Sequence, residues 1–390
     1  MKATFVKQEA TVPYQLKEYI KDNTLIIRSP GRINLIGEHT DYNDGYVLPA
    51  AIDKAAYIAI TPRTDREIHL YSIDMNDSFN TSLDELKINT ASSWPNYLLG
   101  VVDQFIKAGI DVPGFDAALT GDIPLGAGLS SSAAVECAMA LALNEITNAG
   151  FDKLTMVKMA QKAEHEFAGV QCGIMDQFAS MFGKQHHVIR LDCRSLEYEY
   201  EPLEMEGYKI VLMDTNVKHS LASTEYNVRR KQCETGVAMI QQHLHEIKSL
   251  RDVTMEMLDK YVLPNDLLIY QRCKYVVEEN NRLLEACKDL EANDLVAFGK
   301  KMFETHHGLS KLYEVSCPEL DFLVTQVQDN PAVVGARMMG GGFGGCTINI
   351  VKEDAVCDLI KETTTAYSTA MQKELKAYIV NIEDGSSVIK

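Results

Sequence analysis

The 390-residue sequence predicts two α+β domains rather than one doubly wound sheet. The chain is longer than a single hydrophobic core usually spans. Strand-like runs alternate with helices without the regular spacing of βαβ units, and a Glu-rich stretch at 198–207 interrupts the pattern. We therefore place a domain boundary in that stretch, with a first domain at 1–203 and a second at 204–390.

Hydrophobic periodicity predicts the main elements of the first half. Alternation of apolar and polar residues indicates strands at 55–60 and 68–73, separated by a polar turn. Helical spacing indicates helices at 97–108 and 133–148. Gly150 follows the second helix, close to the position where glycine favours a helix C-terminus.

The second half is richer in long helical patterns. An apolar run at 209–214 predicts a strand just after the boundary, and helical periodicity follows at 225–250 and 266–289. A glycine run then leads into the alternating segment 346–351, which predicts another strand.

Composition and charge exclude several classes of function. The chain is 46% hydrophobic and 24% charged, and its formal net charge of −17 disfavours binding to nucleic acid or anionic membranes. Nine cysteines are scattered without zinc or disulfide spacing, as is typical of reduced thiols. The N-terminal residues lack a signal pattern, and no apolar run reaches membrane length. These features predict a cytosolic protein.

Residues 31–49 (GRINLIGEHTDYNDGYVLP) are unusually dense in polar side chains of different chemistry. Arg32, Glu38, His39, Thr40 and Asp41 supply a guanidinium, two carboxylates, an imidazole and a hydroxyl within ten residues. Carboxylates accept from hydroxyls, and imidazole both accepts and donates, so the segment suits a ligand covered in hydroxyl groups. The alternative is a polar surface loop closed by turn residues.

Residues 121–134 (GDIPLGAGLSSSAA) predict a phosphate-binding loop. Gly126 and Gly128 allow close approach of the backbone, and three serines open the following helix, where free N–H groups and the dipole favour an anion. No lysine follows, so this is not the common P-loop. The alternative is a serine N-cap after a glycine turn.

Residues 340–345 (GGGFGG) formally match the dinucleotide-binding pattern, but a strand follows them instead of a helix, and no βαβ unit surrounds them. We therefore reject a Rossmann fold. The run itself fits two explanations equally, the start of a tight hairpin or a main-chain wall against a ligand.

Two carboxylates in residues 160–180 are catalytic candidates. Glu164 lies on a predicted helix ending near Gly169, and Asp176 lies near the start of another predicted helix. Taken singly, Glu164 suits a solvated helix face and Asp176 an interaction with the helix dipole. Only their combination with Arg32 and the serine loop favours catalysis. The adjacent pair at 186–187 is interpreted as surface histidines, since no carboxylate is spaced to complete a metal site.

Together these segments resemble a known family. Residues 31–49 are similar to the galactokinase signature, and residues 121–134 resemble the phosphate loop of the galactokinase, homoserine kinase, mevalonate kinase and phosphomevalonate kinase (GHMP) superfamily. Residues 340–345 resemble its third motif, and 172–177 and 223–230 are galactokinase-like. The motifs occur in the family's order across nearly the whole chain.

The resemblance implies a GHMP kinase fold, with an N-terminal domain like the second domain of ribosomal protein S5, a ferredoxin-like C-terminal domain and a site between them. It implies Asp176 as catalytic base and Arg32 as its partner. The positions matching sugar contacts are Glu38, His39, Thr40, Asp41, Gly173 and Tyr226. Those matching nucleotide contacts are Ser72, Gly126, Ala127, Gly128, Leu129, Ser130, Ser131 and Ser132, with Ser132 and Glu164 as the Mg²⁺ pair.

The implied reaction is transfer of the γ-phosphoryl group of ATP, with Mg²⁺, to the C1 hydroxyl of α-D-galactose, the first committed step of the Leloir pathway. In a loose transition state the position of the base matters more than its basicity. A monomer is expected. The alternatives are a sugar- and ATP-binding sensor, which an intact serine loop disfavours, and a kinase of N-acetylgalactosamine. Homoserine or mevalonate would offer few hydroxyls to the acidic signature.

Overall fold

The computed structural model describes residues 12–124, 126–217 and 222–390, and the strands within those ranges form three sheets. In the largest sheet, neighbouring strands are antiparallel except for the parallel pair β4 and β6. Its strands, in order across the sheet, are β13 (Ser387–Val388), β1 (Leu25–Asn34), β3 (Pro49–Pro62), β6 (Phe115–Gly121), β4 (Glu67–Ser72) and β5 (Asp77–Ser82).

Helices of the first half pack against this sheet. They are α1 (Trp94–Lys107), α2 (Ser131–Thr147), α3 (Lys153–Ala163) and α4 (Met175–Phe182). Helices α2 and α4 lie on β1 and β3, and α1 and α3 pack on α2. Alanines dominate the buried face of α2, so its backbone lies close to the strands. Both strands and both helices predicted for this half are confirmed, with ends that differ by a few residues.

The second half builds a four-stranded antiparallel sheet with helices around it. In order across the sheet, the strands are β10 (Val333–Met338), β11 (Cys346–Lys352), β9 (Tyr208–Asp214) and β12 (Lys376–Val380). The helices are α5 (Ala222–Gln241), α6 (Met255–Tyr261), α7 (Leu267–Glu291), α8 (Leu295–Lys311), α9 (Pro318–Gln328) and α10 (Val356–Met371). A small sheet is built from three strands of the first half, β2 (Tyr46–Val47), β7 (His187–Asp192) and β8 (Tyr198–Pro202).

The helix predicted at 225–250 is too long. Helix α5 ends at Gln241, whose side chain donates to the carbonyl of Ile247 at 2.7 Å and stabilises a turn. Ile247 and Leu250 lie beyond the end of α5, and both are buried. The apolar residues therefore keep a helix-like spacing in a segment that does not belong to the helix. The predictions at 209–214, 266–289 and 346–351 are confirmed by β9, α7 and β11.

The two halves share apolar packing. Ile33 and Leu35, at the end of β1 and just beyond it, belong to one buried cluster with Ile210 and Leu212 of β9 and Ile348 of β11. The chain also returns to the first sheet at its far end, where β13 pairs with β1. The predicted boundary between 1–203 and 204–390 lies between β8 and β9, and it stays a prediction. Residues 1–11 of the first predicted domain lie outside the described residues. No helix within the described ranges has the length and apolar character to cross a membrane.

Candidate active site

The centre of the site is a bidentate ion pair. Arg32 lies near the end of β1, and Asp176 lies in the first turn of α4. Nε and one terminal nitrogen of Arg32 lie 2.8 and 2.7 Å from the two oxygens of Asp176. Burial opposes charge on the guanidinium, but the charge and hydrogen bonds of Asp176, together with the charges of Glu38 and Asp41, outweigh burial and raise the pKa of Arg32. The Ser130 hydroxyl donates to the same carboxylate, which is thereby fixed in orientation.

Strand β1 approaches the predicted phosphate loop closely. A side chain at Gly31 would place its Cβ 2.8 Å from the carbonyl oxygen of Leu129, so glycine is required there. The backbone N–H of Arg32 donates to that same carbonyl at 3.1 Å, and its guanidinium donates to the carbonyl of Gly128 at 2.5 Å. Arg32 thus connects the ion pair to the loop.

The loop presents an uncapped helix N-terminus. Gly126 and Gly128 have φ of 79° and 76°, and Ser130, the residue before α2, has φ of 56°. Its side chain contacts Asp176 and makes no capping bond to the helix. The first backbone N–H groups of α2 therefore point out of the helix beside the ion pair, where an anion is favoured.

The third glycine motif faces this loop. A Cβ at Gly340 would lie 3.5 Å from the carbonyl oxygen of Gly128, and one at Gly345 would lie 3.6 Å from that of Ala127. Both glycines have φ above 80° and lie in the hairpin between β10 and β11. Gly340 and Gly341 also line the cavity described next, so the run is both a hairpin and a main-chain wall.

A cavity of about 270 Å³ opens beside the ion pair. Among the predicted residues, those that line it are Arg32, Glu38, His39, Asp41, Glu164, Gly173, Asp176 and Tyr226. The other residues of the wall are Val170, which no motif predicted, and Cys172, Met175, Gly340 and Gly341, which lie in the motifs at 172–177 and 340–345. Carboxylates, an imidazole and a guanidinium therefore converge on one space, as the signature predicted.

Asp41 packs against a glycine in the cavity wall. A Cβ at Gly173 would lie 1.7 Å from Oδ2 of Asp41, so no larger residue fits there without moving the carboxylate. Burial and the nearby charges of Asp176 and Glu38 raise the pKa of Asp41 to about 7. Backbone hydrogen bonds lower the pKa and offset this rise only in part.

The second half of the chain fixes the signature loop from behind. Glu38 accepts from the backbone N–H of Gly340 at 2.9 Å and from Arg337 at 3.1 Å. Arg337 is fully buried and also donates to the carbonyls of Asn34 and Leu35. The sequence did not identify Arg337, because an arginine in an apolar strand pattern carries no signal of its partners.

Helix α7 completes this support. The carboxylate of Glu279, which is fully buried, accepts from the N–H of Gly37 at 2.8 Å. Asn280 accepts from the N–H of Tyr46 at 2.9 Å, and the Tyr275 hydroxyl donates to the carbonyl of Glu38 at 3.0 Å. Both ends of the loop are therefore anchored by one helix.

The predicted metal pair lies together. Ser132 lies beside Glu164, which accepts from Gln177 at 2.7 Å and from the thiol of Cys172 at 3.3 Å. Burial and the charge of Asp176 raise the pKa of Glu164 despite these bonds. No group of three or more His, Cys, Asp or Glu residues suited to a metal occurs among the described residues. A hydroxyl and one carboxylate fit Mg²⁺ that takes its remaining ligands from water and phosphate.

Two predicted residues belong neither to the cavity wall nor to the phosphate loop. Thr40 is buried beneath the loop, where its hydroxyl donates to the carbonyls of Gly37 and Tyr46, so the expected sugar contact of Thr40 is not supported. Ser72 is buried at the end of β4 and is not part of the cavity wall; its contact with the nucleotide stays a prediction. His186 is exposed at the surface, as expected.

This architecture, with an uncapped helix N-terminus beside a paired Arg and Asp, defines a GHMP kinase. Residues 96–184 match the family of GHMP kinase N-terminal domains, and residues 284–362 match that of the C-terminal domains. Residues 16–62 match the galactokinase galactose-binding signature. The chain belongs to the galactokinase family, a family of sugar kinases. The predicted GHMP kinase fold is confirmed.

Similarity extends over nearly the whole chain. The galactokinase of Clostridium beijerinckii is 42% identical over 96% of this chain and 97% of its own, and that of Thermotoga maritima is 42% identical over 92% and 98%. The crystal structure of Lactococcus lactis galactokinase complexed with galactose superposes with a TM-score of 0.90 at 36% identity, covering 94% of this chain and 95% of its own. A mevalonate kinase structure, at 20% identity and a TM-score of 0.65, shares the fold.

Proposed function

We propose that this chain is an ATP-dependent kinase of α-D-galactose that forms galactose 1-phosphate and ADP, the first committed step of the Leloir pathway. One observation carries the proposal. The bidentate Arg32–Asp176 pair lies in the wall of the polar cavity and also contacts the phosphate loop through Gly128 and Ser130. A sugar in the cavity and a phosphate at the loop would therefore meet at Asp176.

Asp176 accepts the proton of the C1 hydroxyl as the sugar oxygen bonds to the γ-phosphorus and the bond to the β-phosphate oxygen breaks. Little deprotonation is needed before the transition state, so the main contribution of Asp176 is to orient the hydroxyl. Arg32 holds the carboxylate through two hydrogen bonds and offsets charge on the moving phosphoryl group.

Ser132 and Glu164 would hold Mg²⁺, which neutralises phosphate charge when bound. The free N–H groups at the start of α2 would receive phosphate oxygens. These N–H groups attract phosphate locally. Local attraction is needed because the chain carries a formal net charge of −17, which repels a polyanion at long range.

ADP release with a panel of hexoses, N-acetylgalactosamine, mevalonate and homoserine tests the substrate. We expect turnover with galactose, and turnover confined to another substrate would overturn the assignment. Asp176→Ala should bind galactose in calorimetry but lose about three orders of magnitude in kcat. Near-normal kcat in this variant would remove Asp176 from the chemistry, and binding of galactose and ATP without turnover in the unmodified chain would indicate a sensor.

We further propose that the protein acts as a monomer in the cytosol. One copy of the chain supplies the Arg32–Asp176 pair and the polar side chains beside it, which suffices for the proposed reaction. All nine cysteines are free, which suits a reducing compartment. Light scattering coupled to size exclusion tests the first point, and fractionation of the source cells tests the second.

A further inference from the structure

A row of hydrogen bonds lies behind the cavity wall at His39. Nδ1 of His39 lies 2.7 Å from the Tyr42 hydroxyl, which lies 2.8 Å from the Tyr313 hydroxyl. That hydroxyl lies 3.2 Å from Sγ of Cys233. His39, Tyr313 and Cys233 are buried, and the proposed chemistry uses neither Tyr313 nor Cys233.

The second ring nitrogen of His39 is the one without a partner in the part of the chain that the structure describes. His39 lines the cavity, and its Nε2 is buried without a hydrogen-bond partner among the described residues. The imidazole is neutral, because burial lowers the pKa of His39 to about 4 and the positive charge of Arg229 opposes protonation further. A neutral imidazole carries one proton, so the row behind His39 decides whether Nε2 donates to the ligand or accepts from it.

Donor and acceptor strengths favour one direction for the row. A phenol hydroxyl is a stronger donor than a neutral imidazole N–H, and an imidazole nitrogen is a stronger acceptor than a phenol oxygen. The Tyr42 hydroxyl therefore donates to Nδ1. Because the Tyr42 proton is used in that bond, the Tyr42 oxygen accepts from the Tyr313 hydroxyl. The Tyr313 oxygen in turn accepts from the thiol of Cys233.

The two ends of the row agree with this direction. Burial raises the pKa of Cys233 to about 11, so its sulfur keeps the S–H proton that Tyr313 accepts. At the opposite end, the backbone of Gly341 lies near the imidazole of His39 and opposes loss of a proton from the ring.

We propose that Tyr42, Tyr313 and Cys233 are positioning residues that hold the proton of His39 on Nε2, so that His39 donates to an oxygen of the bound sugar. The identity of that sugar rests on the proposed function. Glu38 and Asp41 offer acceptors in the same cavity. A sugar hydroxyl can donate to one of these carboxylates and accept from His39 at the same time. A deoxy position can do neither, and an N–H group can only donate.

The tautomer is measured directly on the free protein. Long-range ¹H–¹⁵N correlation spectra of protein labelled at histidine distinguish the two neutral forms, and His39→Gln identifies the signal. We expect the proton on Nε2 in the unmodified chain and a mixture of tautomers in Tyr42→Phe. A proton on Nδ1, or an unchanged pattern in Tyr42→Phe, would overturn the proposal whatever the substrate is.

Kinetics supply the second readout. Tyr42→Phe should raise KM for galactose about 10-fold, the effect of one hydrogen bond in binding, with kcat and KM for ATP within about 2-fold. Tyr313→Phe and Cys233→Ala, which act through Tyr42, should have smaller effects in the same direction. Tyr71→Phe, which removes an exposed hydroxyl bonded to Asn76, is the control and should change nothing.

Monodeoxy galactoses then locate the contact. In the unmodified chain, the sugar lacking the hydroxyl at His39 should lose the most affinity, and Tyr42→Phe should shrink that loss. Equal losses in the two proteins would contradict the role of the row. If galactose itself is not bound, the proposed function fails, while the tautomer experiment still decides the proposal about His39.

Discussion

The two sides of the site are built in opposite ways. On the sugar side, side chains of the second half hydrogen-bond to the signature loop at several points. Glu279 and Asn280 accept from its backbone N–H groups, and Arg337 donates to its carbonyls and to Glu38. On the phosphate side, a Cβ at Gly126 would meet no atom within 4 Å, and α2 begins without a side-chain cap. Recognition of hydroxyl geometry needs fixed acceptors, whereas a phosphate needs backbone donors left free.

The largest expected effect tests whether the sugar side depends on the second half of the chain. Glu279→Ala should lower the free energy of unfolding by about 3–5 kcal/mol, because it leaves Arg282 without its buried partner and Gly37 without its acceptor. Urea denaturation measures this change. Ser131→Ala on the phosphate side is the control, at below about 0.5 kcal/mol. Equal losses would mean that both sides are equally bonded.

The next effect concerns the fit of Asp41 against Gly173. Gly173→Ala should raise KM for galactose roughly 10- to 100-fold, because the new methyl group displaces the carboxylate. KM for ATP should change little. Gly341→Ala is the control in the same cavity, since its Cβ would lie 3.7 Å from Tyr226, an ordinary contact. Similar losses in both variants would show that any added volume harms the cavity.

A smaller effect follows from the raised pKa of Asp41, about 7. As pH falls from 8 to 6, Asp41 takes up a proton and becomes a poorer acceptor, so galactose affinity measured by calorimetry without ATP should fall up to about 10-fold. Asp41→Asn should bind weakly with little pH dependence. Constant affinity of the unmodified chain across this range would contradict the interpretation.

The contribution of Asp41 to the stability of the fold should change with pH in the opposite direction to the galactose affinity. Because the folded-state pKa of Asp41 lies above its ordinary value of 3.8, its contribution to stability is fully present below that value and is lost as pH rises through about 7. The melting temperature of Asp41→Asn relative to the unmodified chain should therefore increase between pH 5 and pH 8. A constant difference would contradict the shifted pKa.

The smallest effect belongs to the phosphate loop. Gly126 has φ of 79° and open space around it, so Gly126→Ala costs only backbone strain of about 1 kcal/mol. KM for ATP should rise about 5-fold, with KM for galactose unchanged. Gly109→Ala carries the same strain, at φ of 83° and with open space, at a site remote from the loop, and should leave KM for ATP unaltered.

The sequence predicted the functional surface better than its support. Arg32 and Asp176 are distant in the chain, but each lies in a motif whose residue types point to chemistry, and the structure pairs them. Arg337 and Glu279 carried no such signal, because a buried charge on a helix or strand shows its purpose only when the partner loop is in place. Thr40, a predicted sugar contact, donates to carbonyls of its own loop, because a hydroxyl within a ligand-like motif can also satisfy the backbone around it.

The return of the chain to its first sheet has a consequence for biosynthesis. Strand β13 pairs with β1 at the edge of that sheet, and Ile382 forms an isolated bridge with Ile52. A nascent chain emerges in order, so this edge of β1 stays unpaired on the ribosome until the whole second half has been translated. The first half consequently completes its sheet only when the helix and strands that support its sugar-binding loop have also been translated.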